Sequence, residues 1–187
     1  MRGGHAMTAH SFQENGTGAL QKKGTVVRVA QEADAEGVCE VLKRSVREVC
    51  VQDHRFDQAL LESWCGNKTP DKVGSWIRDS ENFFLVLEGG LGQLLGAAVY
   101  NRANRVIDLC YLVPEAIGQG NGLRLLSSLE AEAKRLGHER ISLFSTRTAR
   151  MFYTRGGYVP NGEPKPVAGA VVGFPMIKTL CDLSQAS

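Results

Sequence analysis

The sequence predicts an α/β (α+β) domain built on a mixed, mostly antiparallel central sheet of six to seven strands flanked by helices. Three observations carry that prediction. Three short apolar runs, at 83–87, 94–100 and 106–113, follow one another across tight turns and must form an antiparallel meander. A glycine-rich turn and a long amphipathic segment then separate the third run from another at 140–145. A strand–helix–strand order of that length closes as a right-handed crossover onto a parallel neighbour. The 187 residues supply one well-buried domain and hardly two.

Residues 1–24 are polar and glycine-rich without any period. Such a segment buries too little to offset its ordering entropy, so a flexible arm is expected there, with the domain occupying 25–183. Thr25 to Ala30 alternates and reads as a first strand. Asp34 is placed to cap a helix whose apolar stripe is Val38, Val41 or Leu42, Val46 and Val49. A second helix spans about Asp57 to Cys65, with Phe56, Leu60, Leu61 and Trp64 on one side. Thr69 and Pro70 begin a third as N-cap and first helical residue, and Val73, Trp76 and Ile77 give its buried side.

The meander follows, with turns at 89–92 and at Ala103-Asn104. Its third strand, VIDLCYLV at 106–113, is β-branched and aromatic and stops at Pro114. From Leu123 the pattern is helical, and Gly137 suits the position just past the helix end. A strand at 140–145, a short helix from Thr148 to Arg155 and a strand starting at Tyr158 come next. Pro160, Pro164 and Pro166 mark a loop into a last strand at about 171–180, where Pro175 implies an edge position or a bulge.

Composition narrows the function. Twenty-two basic residues face 20 acidic ones, for a net charge of +2, with no basic block interleaved with aromatics, so nucleic acid is not an expected partner. No apolar run approaches the ~20 residues of a membrane span, and the N-terminus lacks a secretory apolar core. A soluble, cytoplasmic protein without membrane partners is expected. Five cysteines, odd in number and never in a C-x-x-C pair, predict reduced and mostly buried thiols and no metal site. His5 and His10 lie in the arm and read as inert, and His54 and His138 read as surface loop residues.

Gly118, Gly120 and Gly122 alternate in the turn after the third meander strand. Glycine lets that backbone bend tightly and approach a ligand. A helix opening there turns unpaired N–H groups and the positive dipole end toward the turn, which suits a phosphate. The glycines lack the dinucleotide-binding spacing and follow a meander, and no Lys-Ser/Thr pair follows them as in a P-loop.

The segment IGQGNG at 117–122 resembles the Q/R-x-x-G-x-G/A motif of the GNAT superfamily of acyl-CoA-dependent N-acetyltransferases. MFYTRGGY at 151–158 is similar to the family's A-x-x-F-Y-E-K-x-G-F segment, and LCYLVP at 109–114 to its strand-four L-Y-V-x-P. The resemblance covers about residues 25–181 in element order as well as in motif. Ile117 stands where the family usually has Gln or Arg, and Thr146 where many members place Asn.

The resemblance implies a GNAT-like fold and an enzyme that transfers acetyl from acetyl-CoA, as cosubstrate, to a primary amine on a small molecule or peptide by direct attack in a ternary complex. The alternative it leaves is a non-catalytic acyl-CoA binding or sensing module. It implies that backbone N–H groups of Gly118, Gln119, Gly120, Asn121, Gly122 and Leu123 hold the pyrophosphate. Main chain at Tyr111, Leu112 and Val113, where the strand splays from its neighbour, would pair with the pantetheine arm, and Thr146 would offer it a hydroxyl. Tyr153 aligns with the tyrosine that protonates the leaving thiolate, a role a phenol titrating near ~10 can fill; its other reading is a core aromatic beside Phe152.

Asp108 is the candidate base, or else a solvent-facing or ion-paired acid, and Glu88 is a similar candidate. Cys110 reads as a structural thiol rather than a nucleophile. In this fold the segments Val46–Gly74 and Pro160–Gly173 flank the acceptor cleft. The oligomeric state stays open, with a homodimer through the last strand as one outcome.

Overall fold

The computed structural model describes residues 24–168 and 171–180. The expected arm, Gly24 apart, and the end of the expected domain lie outside them. Strand β1 (Val26–Val29) leads through a 3₁₀ turn into α1 (Ala35–Arg44), a π-helical turn (Ser45–Val49), α2 (Val51–His54), α3 (Gln58–Gly66) and α4 (Pro70–Arg78). The meander is β2 (Asn82–Glu88), β3 (Leu94–Asn101) and β4 (Val106–Leu112). Then come α5 (Asn121–Arg135), β5 (Arg140–Ser145), α6 (Arg150–Arg155), β6 (Val159–Pro160), β7 (Lys165–Ala168) and β8 (Val171–Thr179).

The eight strands form one sheet in the order β1-β2-β3-β4-β5-β8-β6, with β7 also pairing β8, one strand more than expected. Every pairing is antiparallel except β4 with β5. Residues 84–87 and 96–100 are buried without alternation, which requires cover on both faces of the sheet. Helices α1 and α4, which pack on each other, and α5 supply that cover. Leu125, Leu126 and Leu129 of α5 are fully buried, each worth roughly 2 kcal/mol of transfer free energy.

Local signals hold where chemistry is local. Asp57 and Thr69 cap α3 and α4 through the backbone N–H groups of Leu60 and Lys72, and Gly137 leaves α5 in the left-handed conformation at φ 73°. Asp34 does not cap α1. Its carboxylate takes the Arg28 guanidinium in a two-pronged pair and the Gln31 N–H at 2.7 Å, because a strand–helix clasp outcompetes a local cap. The first long helix does not run unbroken either; it loosens into the π turn after Arg44, and Cys50 is buried beyond Val46 where Val49 was expected.

Two expectations near the C-terminus change. The stretch read as a loop after Pro160 contains β7, which pairs Lys165 with Gly173 and Pro166 with Val172. Strand β8 is interior, between β5 and β6, yet Pro175 is tolerated. Its outer partner changes there from β7, opposite 171–173, to β6, opposite 176–177, and its carbonyl accepts only from the Asn161 N–H just past β6.

Candidate functional site

The site grows from a defect in the meander. Opposite β3, Tyr100 faces Ile107 and Val99 faces Leu109, so Asp108 is the extra residue of a β-bulge in β4. Beside it the parallel pairing of β4 with β5 lasts only two residues, Val106 with Ser142 and Ile107 with Leu143, and beyond them the strands separate. The rest of β4 then presents an unpaired edge. The Val113 N–H bonds to the Leu95 carbonyl on β3, so in an antiparallel ladder Tyr111 and Val113 direct their backbone groups to β3. Leu112 and Cys110 direct theirs into the gap. Of the expected trio only Leu112 offers free main chain there, joined by Cys110, which pattern reading missed because face alternates with register.

At one end of the gap lies the glycine turn. Helix α5 begins at Asn121, two residues before the periodicity suggested, so Gly122 belongs to its first turn. Its N-cap is Gly120 at φ 78°; no side chain caps the first turn and no acidic residue stands in it. The orphan N–H groups and the positive dipole end are therefore unneutralised. Gly118 also has φ 78°, and a Cβ built at Gly118 or Gly120 would meet nothing within 4 Å, so these positions face open space. A Cβ on Gly122 would stand 3.0 Å from the Phe152 ring, so a larger residue there would need that ring to give.

The turn's polar side chains hold the turn itself. Gln119 Nε2 donates to the Glu115 carbonyl at 2.7 Å. Asn121, buried, donates to the Ala116 carbonyl at 3.1 Å and accepts from the Thr25 hydroxyl at 3.0 Å. Each amide nitrogen keeps a second N–H, on an exposed side chain at Gln119 and a buried one at Asn121, beside the backbone N–H groups that the turn offers an anion. Leu123 and Ile117 are exposed, at 48% and 47%.

Tyr153, on α6, is 5% exposed and packs against Phe152 and Tyr158 with ring centroids 4.9 and 5.7 Å away. Burial holds its phenol well above the usual range, helped by neighbouring Cys110 and Tyr111, so it stays protonated. Cys110 is itself pushed up to about 12 by burial, as expected of an inert thiol. Cys39, Cys50 and Cys65 are free and buried. Thr146 caps its own turn, its hydroxyl oxygen accepting from the Ala149 N–H at 3.2 Å, which leaves its O–H free to donate.

Asp53 is a residue the sequence did not single out. Its carboxylate accepts from the Arg147 N–H at 2.6 Å, the Thr148 N–H at 3.1 Å and the Thr148 hydroxyl at 2.6 Å. It thereby fixes the turn that carries Thr146 and delays α6 to Arg150. No local pattern announces a contact 94 residues away.

Asp108 opens onto a cleft of about 390 Å³ shared with Tyr111, Thr146, Trp64, Lys68 and Trp76. Its carboxylate is accessible from the cleft, yet burial of its surroundings raises its pKa above the usual carboxylate range. Trp64, Lys68, Val167 and Val171 come from the two segments expected to flank an acceptor cleft. Glu88 is elsewhere, paired with Arg28 at 2.6 Å. His138 lies in the loop between α5 and β5, as expected, whereas His54 is not a surface loop residue. His54 is fully buried at the end of α2, accepting from the Phe56 N–H at 3.0 Å, and His138 is half-buried against the Tyr100 hydroxyl. Among the described residues no group of three or more His, Cys, Asp or Glu is placed to hold a metal ion, and no helix is long and apolar enough to cross a membrane.

Comparison with known proteins gives this geometry a context. The family model described as an acetyltransferase (GNAT) domain matches residues 29–180. A GCN5-related N-acetyltransferase structure from Rhodopseudomonas palustris superimposes with a TM-score of 0.73 at 20% identity, over 87% of this chain and 99% of that one. The PaiA N-acetyltransferase of Thermoplasma acidophilum, solved with coenzyme A, gives 0.69 at 21% identity, over 83% and 99%. YncA of Salmonella typhimurium, solved with acetyl-CoA, gives 0.61 at 19%, over 88% and 98%. No curated protein is similar in sequence to this chain.

Proposed function

The chain belongs to the GNAT acetyltransferase family, and on that premise we propose that it transfers acetyl from acetyl-CoA to a primary amine by direct attack in a ternary complex. The observation that carries the reading is the continuity of the gap. It runs from the uncapped start of α5, past the free backbone of Leu112 and Cys110, to the neighbourhood of Tyr153 and the cleft that holds Asp108. The residues fit a long, anionic acyl-CoA: orphan N–H groups from Gly118 to Leu123 for the pyrophosphate and an unpaired strand edge for an amide-bearing arm. Bound there, acetyl-CoA supplies the activated acyl group.

The remaining chemistry belongs to the chain. The Leu112 and Cys110 main chain orients the acyl carbonyl, and Thr146 donates its free O–H to the arm. Asp108 takes a proton from the acceptor amine, directly or through water. Its raised pKa brings it nearer the amine's operating range than an ordinary carboxylate. Tyr153 gives its proton to the departing thiolate. The carboxylate on β4 and the phenol on α6 thus take the two proton transfers of the proposed reaction.

The test is direct. Acetyl-CoA at millimolar concentration raises the melting temperature, and release of free thiol is detected against a panel of primary amines. Absence of any thermal shift or calorimetric signal would remove the reading. Exposed Ile117, where the family usually has a polar contact, favours a second reading as a non-catalytic acyl-CoA sensor. Tight CoA binding with no turnover across the panel selects it.

A further inference from the structure

The acceptor cleft contains two charged side chains, Lys68 and Asp108, among walls that are otherwise amide, hydroxyl, aromatic and aliphatic. They come from separate elements: Lys68 from the connection between α3 and α4, Asp108 from the bulge of β4. Lys68 is 7% exposed, an unusual place for an ammonium. Its Nζ donates to the Trp64 carbonyl and, at 3.2 Å, to Asn67 Oδ1, and the Cys39 thiol fixes its backbone through a 2.7 Å contact to the Lys68 carbonyl. Both Nζ partners are neutral.

Neither charge has a counterion among the described residues. The ion pairs there join Arg28, Arg44, Arg78, Arg102, Arg135 and Lys178 to acids other than Asp108, and none includes Lys68. Lys68 and Asp108 are therefore not paired with each other, although they line one cavity. A buried cation without an anion is costly, and its pKa is pulled down by burial, against the influence of Cys65, Cys50 and Cys39. Two opposite, separated charges in one cleft of about 390 Å³ are jointly neutralised by an occupant carrying both signs.

We propose that the acceptor is an aminocarboxylate, a free amino acid or a close relative, whose carboxylate is held by Lys68 while its amine faces Asp108. Trp64 and Trp76 form apolar walls of the same cleft and suit an acceptor with a hydrophobic side chain. The assignment rests on the acetyltransferase reading of the site and supplies its substrate class. Lys68 acts in binding and discrimination, and Asp108 keeps the proton-accepting role.

The experiment compares the free acids and primary α-amides of phenylalanine, methionine, leucine and lysine, read both as thiol release from acetyl-CoA and as calorimetric binding to the CoA-loaded protein. An amide lowers the basicity of its amine and supplies more neutral nucleophile at pH 7.5, so a preference for the acid is the more demanding result. The free acids lead their amides at least tenfold in kcat/KM and in affinity, and Lys68→Met brings both ratios to within about twofold. If Lys68→Met does not fold, Lys68→Gln replaces it, and the acid-to-amide ratio of the unaltered protein decides by itself. Amides used as well as or better than acids overturn the proposal and leave acetyl transfer standing. Where acetyl-CoA binds but nothing is acetylated, acetyl transfer fails, and the binding arm judges Lys68 separately: acid-selective binding lost in the variant upholds the anionic subsite, and binding that is absent or indifferent to the carboxylate removes it.

Discussion

At the residue scale, burial raises the pKa of both Tyr153 and Asp108, and in the proposed reaction the two shifts would serve opposite ends of a proton transfer. A phenol pushed up keeps the proton it is to give, and a carboxyl pushed up takes one more readily near neutrality. Tyr153→Phe should lower kcat about 10²-fold while the calorimetric affinity for acetyl-CoA stays within about twofold, because the ring's packing is retained. For Asp108 the sign of the pH dependence follows from the raised value. Turnover falls as pH drops through that pKa, so the acid limb of kcat/KM lies above the usual carboxylate range and shifts in Asp108→Asn. The folded carboxyl also holds its proton more tightly than the unfolded one, so stability falls as pH rises between the two values. Melting curves at neutral pH should therefore place Asp108→Asn above the unaltered protein, the trade expected of a group kept for function. Both residues were candidates from the sequence, Tyr153 from its motif and Asp108 from its strand. The bulge at Asp108 was not legible, because strand position alone does not reveal a shift of register.

At the element scale, the gap between β4 and β5 and the start of α5 form one device: a strand released from its neighbour and a helix that leaves its first N–H groups uncapped. The three glycines divide the work. Gly118 and Gly120 supply left-handed backbone in open space, whereas Gly122 makes room for Phe152, the neighbour of Tyr153. Gly120→Ala should cost the fold about 1 kcal/mol of backbone strain and weaken acetyl-CoA binding about tenfold or more, measured by calorimetry beside chemical denaturation. Gly122→Ala should disturb turnover more than cofactor affinity, since its Cβ presses on α6 rather than on the anion site. The glycine turn, the helix after it and the two capped helices were readable because their determinants lie within a few residues. The onset of α5 was misplaced because glycine and asparagine hide a first helical turn. Strand β7 was missed because Pro166 stands within it and reads as a loop residue.

At the scale of the whole molecule, ion pairs fasten the outer elements to the sheet. Glu132 of α5, buried, takes Arg135 of its own helix at 2.7 Å and Arg102 in the turn between β3 and β4 at 2.9 Å; Arg28 joins β1 to both Asp34 and Glu88. Arg135 and Arg102 hold the Glu132 carboxyl below the ordinary range, and Arg28 does the same for Asp34. Groups lowered in the folded state contribute stability that is complete above their unfolded pKa values and is lost as pH falls through the lowered ones. Acid unfolding monitored by circular dichroism should follow that course, and Glu132→Gln should cost about 1–3 kcal/mol at pH 7 and flatten the acid limb. The sequence by itself determined the order of elements, the meander, the crossover and the glycine turn, since each is written in periodicity, turn chemistry and caps that act over a few residues. The tertiary structure decided the rest. The bulge at Asp108, the clamp of Asp53 on the turn after β5, the burial of His54 and the lone ammonium of Lys68 in one cleft with Asp108 depend on which distant surfaces meet, and burial and register, which set those partners, are properties of the folded sheet.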